Sequence, residues 1–320
     1  MPLLPELVPM LARIEAARAH LPDAALPVAD RRAAIHRGMD QRAAAVALPP
    51  PPVAVTDHTV PVEDGEITVR VYRPDAEGPL PGHLYVHGGG WWLGTLAHRD
   101  TVCARRAVDA GCVVASVAHR LAPEHRFPVP VRDCAAALAW LASRAATLGV
   151  DASRLSVGGD SSGANLAAAT TLVARAEGGP ALVAQVLEIP ALDLTMSQPS
   201  VAGLTGPLVL TRDDLAADIA RYADPADLGD PYASPLLTPD LSGLPPALVM
   251  TAEFDILRDD GAAYARRLVE AGGSARVVEW PGHVHGSHEM TATLESAREW
   301  QAQVAAFLRE RHQGSFAVEV

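Results

Sequence analysis

Residues 155–176 constrain this chain more than any other stretch. Leu155-Ser156-Val157 is a short apolar run, Gly158-Gly159 interrupt it, and Ala164 to Ala176 has the spacing of a helix. Between them lies Gly159-Asp160-Ser161-Ser162-Gly163, a G-x-S-x-G sequence at a strand-to-helix turn. A serine raised on so tight a turn takes a strained backbone for which flanking glycines leave room. It also stands at a helix N-terminus, where backbone N–H groups and the helix dipole favour a developing negative charge.

The rest of the chain repeats the strand–helix rhythm. His58 to Arg73 alternates apolar and polar residues about Asp64-Gly65, the pattern of a β-hairpin. Further strands are expected at 84–86, 112–117, 183–189, 247–252 and 275–279, and helices at 101–110, 131–148, 261–271 and 290–311. This alternation predicts an α/β fold with a mostly parallel sheet and helices on both faces. Residues 1–48 are Ala-rich, with Leu7, Met10, Leu11 and Ile14 at helical spacing, and Pro49 to Pro52 form a stiff spacer. Residues 1–52 therefore read as a helical appendage and 53–320 as the main domain. Residues 191–235 break the rhythm, with one acid-started helix near 213–222, and read as an insertion over a site.

Composition narrows the chemistry. All 26 basic residues are arginine; there is no lysine. That excludes Schiff-base catalysis, Walker-type phosphate loops and serine–lysine hydrolases. A formal net charge of −12 argues against nucleic acid and anionic membranes as partners. Cys103, Cys112 and Cys134 form no disulfide framework. The N-terminus lacks the basic start of a signal peptide, and no apolar run could span a bilayer, so a soluble, cytoplasmic protein is expected.

A second signal is His87-Gly88-Gly89-Gly90-Trp91, directly after a short apolar strand. Consecutive glycines let backbone amides approach a ligand, which suits an oxyanion hole built from the N–H groups of Gly88, Gly89 and Ser162. A plain flexible loop or a phosphate turn is the competing reading, the latter weakened by the missing lysine. A serine nucleophile needs a histidine base and an orienting carboxylate. Downstream of Ser161, three of the four histidines (His283, His285 and His288) fall in one loop after a strand, and Glu253 and Asp255 end another strand.

These motifs resemble the hormone-sensitive-lipase-like family of α/β-hydrolases, the bacterial HGGG-type esterases. The likeness spans roughly residues 80–310. It rests on His87 to Trp91, Arg120-Leu121-Ala122-Pro123-Glu124-His125-Arg126-Phe127-Pro128, Gly159 to Ala167, Asp255 to Gly261, and Pro281-Gly282-x-x-His285-Gly286. The resemblance implies Ser161 as nucleophile, Asp255 as acid and His285 as base. It also implies a cofactor-independent carboxylesterase acting on short- to medium-chain acyl esters, with residues 1–52 and 191–235 as a cap. Lactones, acetylated metabolites and aryl amides suit the same triad. The resemblance also allows a homodimer, an arrangement frequent in the family. Around the pocket we expect Trp91, Trp92, Asp160, Ile189, Leu204, Ile256 and Ser287. One tryptophan should line it while the other packs, and Asp160 should fix the turn by hydrogen bonds. Glu124, Arg126 and Arg258 are expected in ion pairs near the loops, and His98 and His119 as non-catalytic. Two rival readings of the same residues are a zinc hydrolase on His283, His285 and His288, and a non-catalytic binding module.

Overall fold

The computed structural model describes residues 2–18, 26–206 and 208–314, and the helical expectation over residues 19–25 lies outside them. Eight strands form one sheet in the order β1-β2-β4-β3-β5-β6-β7-β8. β1 (Ala54–Val62) and β2 (Gly65–Arg73) make the expected hairpin, with Asp64 in its turn at φ 57°. β2 also runs antiparallel to β4 (Val113–Ala118). β3 (Leu80–Val86), β4, β5 (Val150–Asp160), β6 (Leu182–Glu188), β7 (Ala247–Phe254) and β8 (Ala275–Val284) are mutually parallel.

Side chains alternate across the strands, so the sheet needs cover on both faces. Val113, Ala115 and Val117 face a core shared with α4 (Val129–Ser143), α6 (Ser162–Glu177) and α9 (Arg258–Glu270). Val114 faces the other way, onto α3 (Asp100–Ala110) and α10 (Glu295–His312). α3 stops where expected, at Gly111 in the left-handed conformation.

Several boundaries differ from the sequence reading, and three of them are instructive. The helix expected over 131–148 is broken at Arg144, which leaves helical angles, and a one-turn α5 (Ala145–Leu148) follows. The last helix begins at Glu295 rather than Met290, because 287–289 form a 3₁₀ turn and 291–293 a further turn, in which the Ala292 N–H bonds the Val46 carbonyl. β8 continues to Val284 and takes His283 out of the loop.

The N-terminal segment holds α1 (Val8–Arg18) and α2 (Val28–Val46). Leu7 and Leu11 bury against Val284, Met290, Leu294 and Ala297. The Arg32 guanidinium on α2 donates to the carbonyls of Trp92 and Ala122 and pairs with Glu124 at 2.7 Å. Residues 191–235 contain a short α7 (Pro199–Gly203) and α8 (Arg212–Tyr222), the latter opened by a capping box between Thr211 and Asp214. No described helix is long and apolar enough to cross a membrane.

Candidate active site

The parallel strands end on one edge of the sheet, and the residues of interest follow directly from them: His87 after β3, Ser161 after β5, Asp255 after β7 and His285 after β8. Ser161 has φ 54° and ψ −121°, a strained conformation for a residue with a Cβ. Gly163 shows why the turn is glycine-flanked: a Cβ there would lie 2.5 Å from the carbonyl of His87. The Ser161 N–H donates to the Glu188 carbonyl at 2.8 Å, tying the turn to β6.

From this perch Ser161 Oγ lies 3.0 Å from His285 Nε2, and His285 Nδ1 lies 2.7 Å from Asp255 Oδ2. A buried carboxylate only accepts, so Nδ1 carries the proton and Nε2 is free to accept from the serine. Asp255 is 2% exposed, and its other oxygen accepts the Leu257 N–H at 3.0 Å. Burial disfavours the charged form of His285. The charge and hydrogen bond of Asp255, helped by Asp160 and Glu289, outweigh that and raise its pKa above the ordinary 6.5.

Asp160 anchors the glycine loop. Its Oδ1 accepts from the Tyr85 hydroxyl at 2.6 Å, the Gly88 N–H at 3.0 Å and Arg99 Nε at 3.2 Å. Its Oδ2 takes Arg99 Nη2 at 2.7 Å, and that nitrogen also lies 3.0 Å from Glu289. Gly88 is therefore corrected as an oxyanion donor, since its N–H is already engaged. Gly89 and Gly90, the next residues, border the cavity beside Ser161 and Ser162. His87 is buried and held neutral, its pKa pushed down to about 3 by burial and by His119, on which it stacks at 4.5 Å.

A cavity of about 200 Å³ opens over Ser161 and His285. Trp91, Asp160 and Ile189 border it, as expected, together with Ala191, Leu215, Leu257 and Asp218. Trp91 is also stacked on Tyr222 at 4.7 Å and donates its indole N–H to Asn165. Four expected pocket residues lie elsewhere. Trp92 packs in the core with 4% exposure, donating its indole N–H to Asp218 at 2.7 Å beneath the Arg221 guanidinium. Ile256 packs in the core with 1% exposure, and Leu204 packs against the same cluster. Ser287 is buried beneath the site, where its hydroxyl donates to the Val284 carbonyl and closes the turn after β8.

The three histidines of the metal alternative do not converge. Both ring nitrogens of His283 meet serines, Ser287 and Ser296, each at 2.8 Å, and His288 stacks on Trp300 at 5.2 Å. Among the described residues, the one group with metal-ligand spacing is Asp160, His288 and Glu289, and Arg99 bonds both of its carboxylates. The expected ion pairs form for Glu124 with Arg32, Arg126 with Asp224, and Arg258 with Asp259. Sequence reasoning missed Arg99, Leu215 and Asp218. The last two are three apart on one helix face, so the periodicity of α8 could have placed them together; Arg99 carried no comparable signal.

The profile of a family described as alpha/beta hydrolase fold matches residues 83–289. Carboxylesterase NlhH of Mycobacterium tuberculosis is 43% identical over 253 residues, 77% of this chain and 79% of that protein. Ethyl acetate hydrolase of Pseudomonas putida is 38% identical over 322 residues, 97% of this chain and 99% of that protein. A hyperthermophilic esterase from the archaeon Pyrobaculum calidifontis superposes with a TM-score of 0.87 at 40% identity, covering 97% and 99% of the two chains. The chain belongs to the α/β-hydrolase fold family, in its hormone-sensitive-lipase-like branch.

Proposed function

We infer that the protein is a carboxylic ester hydrolase of the serine type, working through Ser161, His285 and Asp255 on short- to medium-chain acyl esters. The observation that carries this is the continuous hydrogen-bonded chain from Ser161 Oγ through His285 to Asp255, at 3.0 and 2.7 Å. His285 Nε2 takes the serine proton as Oγ attacks the ester carbonyl, and Asp255 steadies the imidazolium. His285 then returns the proton to the departing alcohol, leaving an acyl group on Ser161. A water, deprotonated by the same nitrogen, attacks that acyl carbonyl and releases the acid. The N–H groups of Gly89, Gly90 and Ser162 are the oxyanion donors in this reading, each worth about 2.7–4 kcal/mol in the transition state. The modest cavity favours small acyl groups. Residues 1–52 and 191–235 act as the cap, since Arg32 on α2 and Asp218 on α8 reach the glycine loop or its neighbours. Cytoplasmic residence suits such a metabolic hydrolase.

The test is Ser161→Ala against short p-nitrophenyl esters. Turnover should fall by roughly 10⁴-fold or more with the fold unchanged by circular dichroism. An organophosphate should label the parent protein once and the variant not at all, which separates this reading from a non-catalytic binding module. Retained hydrolysis would sink it.

A further inference from the structure

Asp218 stands in the cleft but outside the chain of proton transfer. It projects from α8 and borders the same cavity as Ser161 and His285. One of its oxygens is committed: Oδ1 accepts from the Trp92 indole N–H at 2.7 Å and from Arg221 at 2.8 Å. These bonds fix the carboxyl group. Oδ2 is turned toward Gly90, so closely that a Cβ on that glycine would lie 2.6 Å from Asp218 Cγ. Among the described residues no donor reaches Oδ2, and the side chain keeps 21% of its surface exposed.

The surrounding charges reinforce the point. Three carboxylates border the cavity (Asp160, Asp218 and Glu289) against one guanidinium, that of Arg99. The charge of Arg99 is already matched by Asp160 and Glu289, each within 3.0 Å of its Nη2. The remaining wall near Asp218 is apolar, with Leu215 one helical turn away. Asp218 Oδ2 is therefore a fixed carboxylate oxygen, uncommitted within the protein, beside an apolar wall of the cleft.

We propose that Oδ2 of Asp218 is a substrate-recognition group, and that this cleft favours esters carrying a cationic group over their uncharged isosteres. The proposal rests on the ester-hydrolase reading of the same site. Burial pushes the Asp218 carboxyl up to about 7, opposed by the charge of Arg221 and the Trp92 bond and assisted by Asp214. The other charged groups around it are Arg31 over the Trp92 ring and, across the cavity, Arg99, Glu289 and His285. Because the ionised form attracts the cation, the preference grows as pH rises through neutrality.

The experiment compares matched pairs of esters. One pair carries the charge in the alcohol: choline butyrate and the analogue with carbon in place of the quaternary nitrogen. The other carries a trimethylammonium group at the end of the acyl chain, again against its carbon isostere. Within one protein, the ratio of kcat/KM for charged over uncharged cancels any general change in oxyanion stabilisation. Asp218→Asn keeps an acceptor for Trp92 and Arg221 but removes the charge. At about pH 8.5 it should lower this ratio roughly tenfold in at least one pair, the size expected for losing the Coulomb attraction between a partly screened carboxylate and a nearby cation. A ratio unchanged within about twofold in both pairs, or equal losses for both members of a pair, overturns the proposal. Dissociation constants of the same pairs on Ser161→Ala protein, with and without Asp218→Asn, read the preference without turnover. Failure of the esterase reading has its own signature, absence of turnover of the uncharged esters by the parent protein.

Discussion

Replacing Asp160 by Asn tests whether a buried ion pair positions the glycine loop. Asp160 is 2% exposed and Arg99 7% exposed, and the two are joined by bonds of 2.7 and 3.2 Å. Burial pushes the Asp160 carboxyl up, but the charge and hydrogen bonds of Arg99, with His288 and the Tyr85 hydroxyl, hold it well below the usual carboxylate range. Asn removes the charge and turns an N–H₂ group toward Arg99. Breaking a buried pair this way costs about 3–5 kcal/mol. Glu289 remains on the other side of Arg99, so the loss belongs at the lower end, about 3 kcal/mol, a large share of the usual 5–15 kcal/mol of a domain. The Gly88 N–H loses its charged acceptor in the same step, so Gly89 and Gly90 shift. A misplacement of about 1 Å at a reacting centre costs about 10²-fold. Urea unfolding should therefore show the parent more stable by about 3 kcal/mol at pH 7, and kcat should fall roughly 10- to 100-fold with a smaller change in KM. The stability gap should narrow with acid. A carboxylate whose folded pKa is depressed stabilises fully above its unfolded value, about 3.9, and loses that contribution as pH falls toward the folded pKa. A variant within about 0.5 kcal/mol of the parent and with full kcat would refute the idea that this pair holds the loop.

Two further outcomes follow from the same geometry. His285 must be neutral to accept the serine proton, so kcat/KM should rise with pH through an apparent pKa above 6.5, its raised value; Asp255→Asn should move that limb to lower pH and cut kcat by roughly 10⁴-fold, and a limb that stays in place in the pH–rate profile contradicts the assignment of Asp255. Gly90→Ala places a Cβ against the Asp218 carboxyl at a φ of 60°, so it should lower kcat/KM about 10²-fold; parent-like kinetics in a folded variant would show that the loop has room to move.

The candidate triad was legible because each member follows a strand whose apolar run can be read directly, and parallel strands deliver their ends to one edge. Ser161 announced itself by its flanking glycines, and the family resemblance singled out His285 from its two neighbours. What could not be read depends on contacts across long sequence separations. Gly88 looked equivalent to Gly89 until Asp160, 72 residues on, was seen to take its N–H. Trp92 follows Trp91, yet its ring is claimed by Asp218 and Arg221 on α8. Ile256 lies next to Asp255, but facing the core is a choice made by tertiary packing. Ser287 reads as a polar loop residue, whereas its hydroxyl is spent inside the turn that presents His285.

The two buried arginines near the Ser161 turn, Arg99 and Arg106, are better understood as positioning devices than as sources of stability. Arg106 pairs with Glu188 at 2.6 Å, and Glu188 also accepts the Trp300 indole N–H at 2.9 Å. The carbonyl of Glu188 in turn takes the Ser161 N–H. Arg99 grips Asp160 from the other side. The strained residue Ser161 is thus held at its N–H by one ion-paired strand end and at the preceding residue by another. Buried pairs of this kind seldom exceed in attraction what their desolvation costs. A backbone at φ 54° stores about 1–3 kcal/mol and persists only where its surroundings leave it no alternative. Guanidinium groups suit that task because they stay charged at every physiological pH, and Arg99 bonds the Asp160 carboxylate through two nitrogens at once. In a chain whose basic residues are all arginine, the cations of the frame around Ser161 stay charged near neutrality, while the two cleft groups His285, raised above 6.5, and Asp218, raised to about 7, ionise within reach of it.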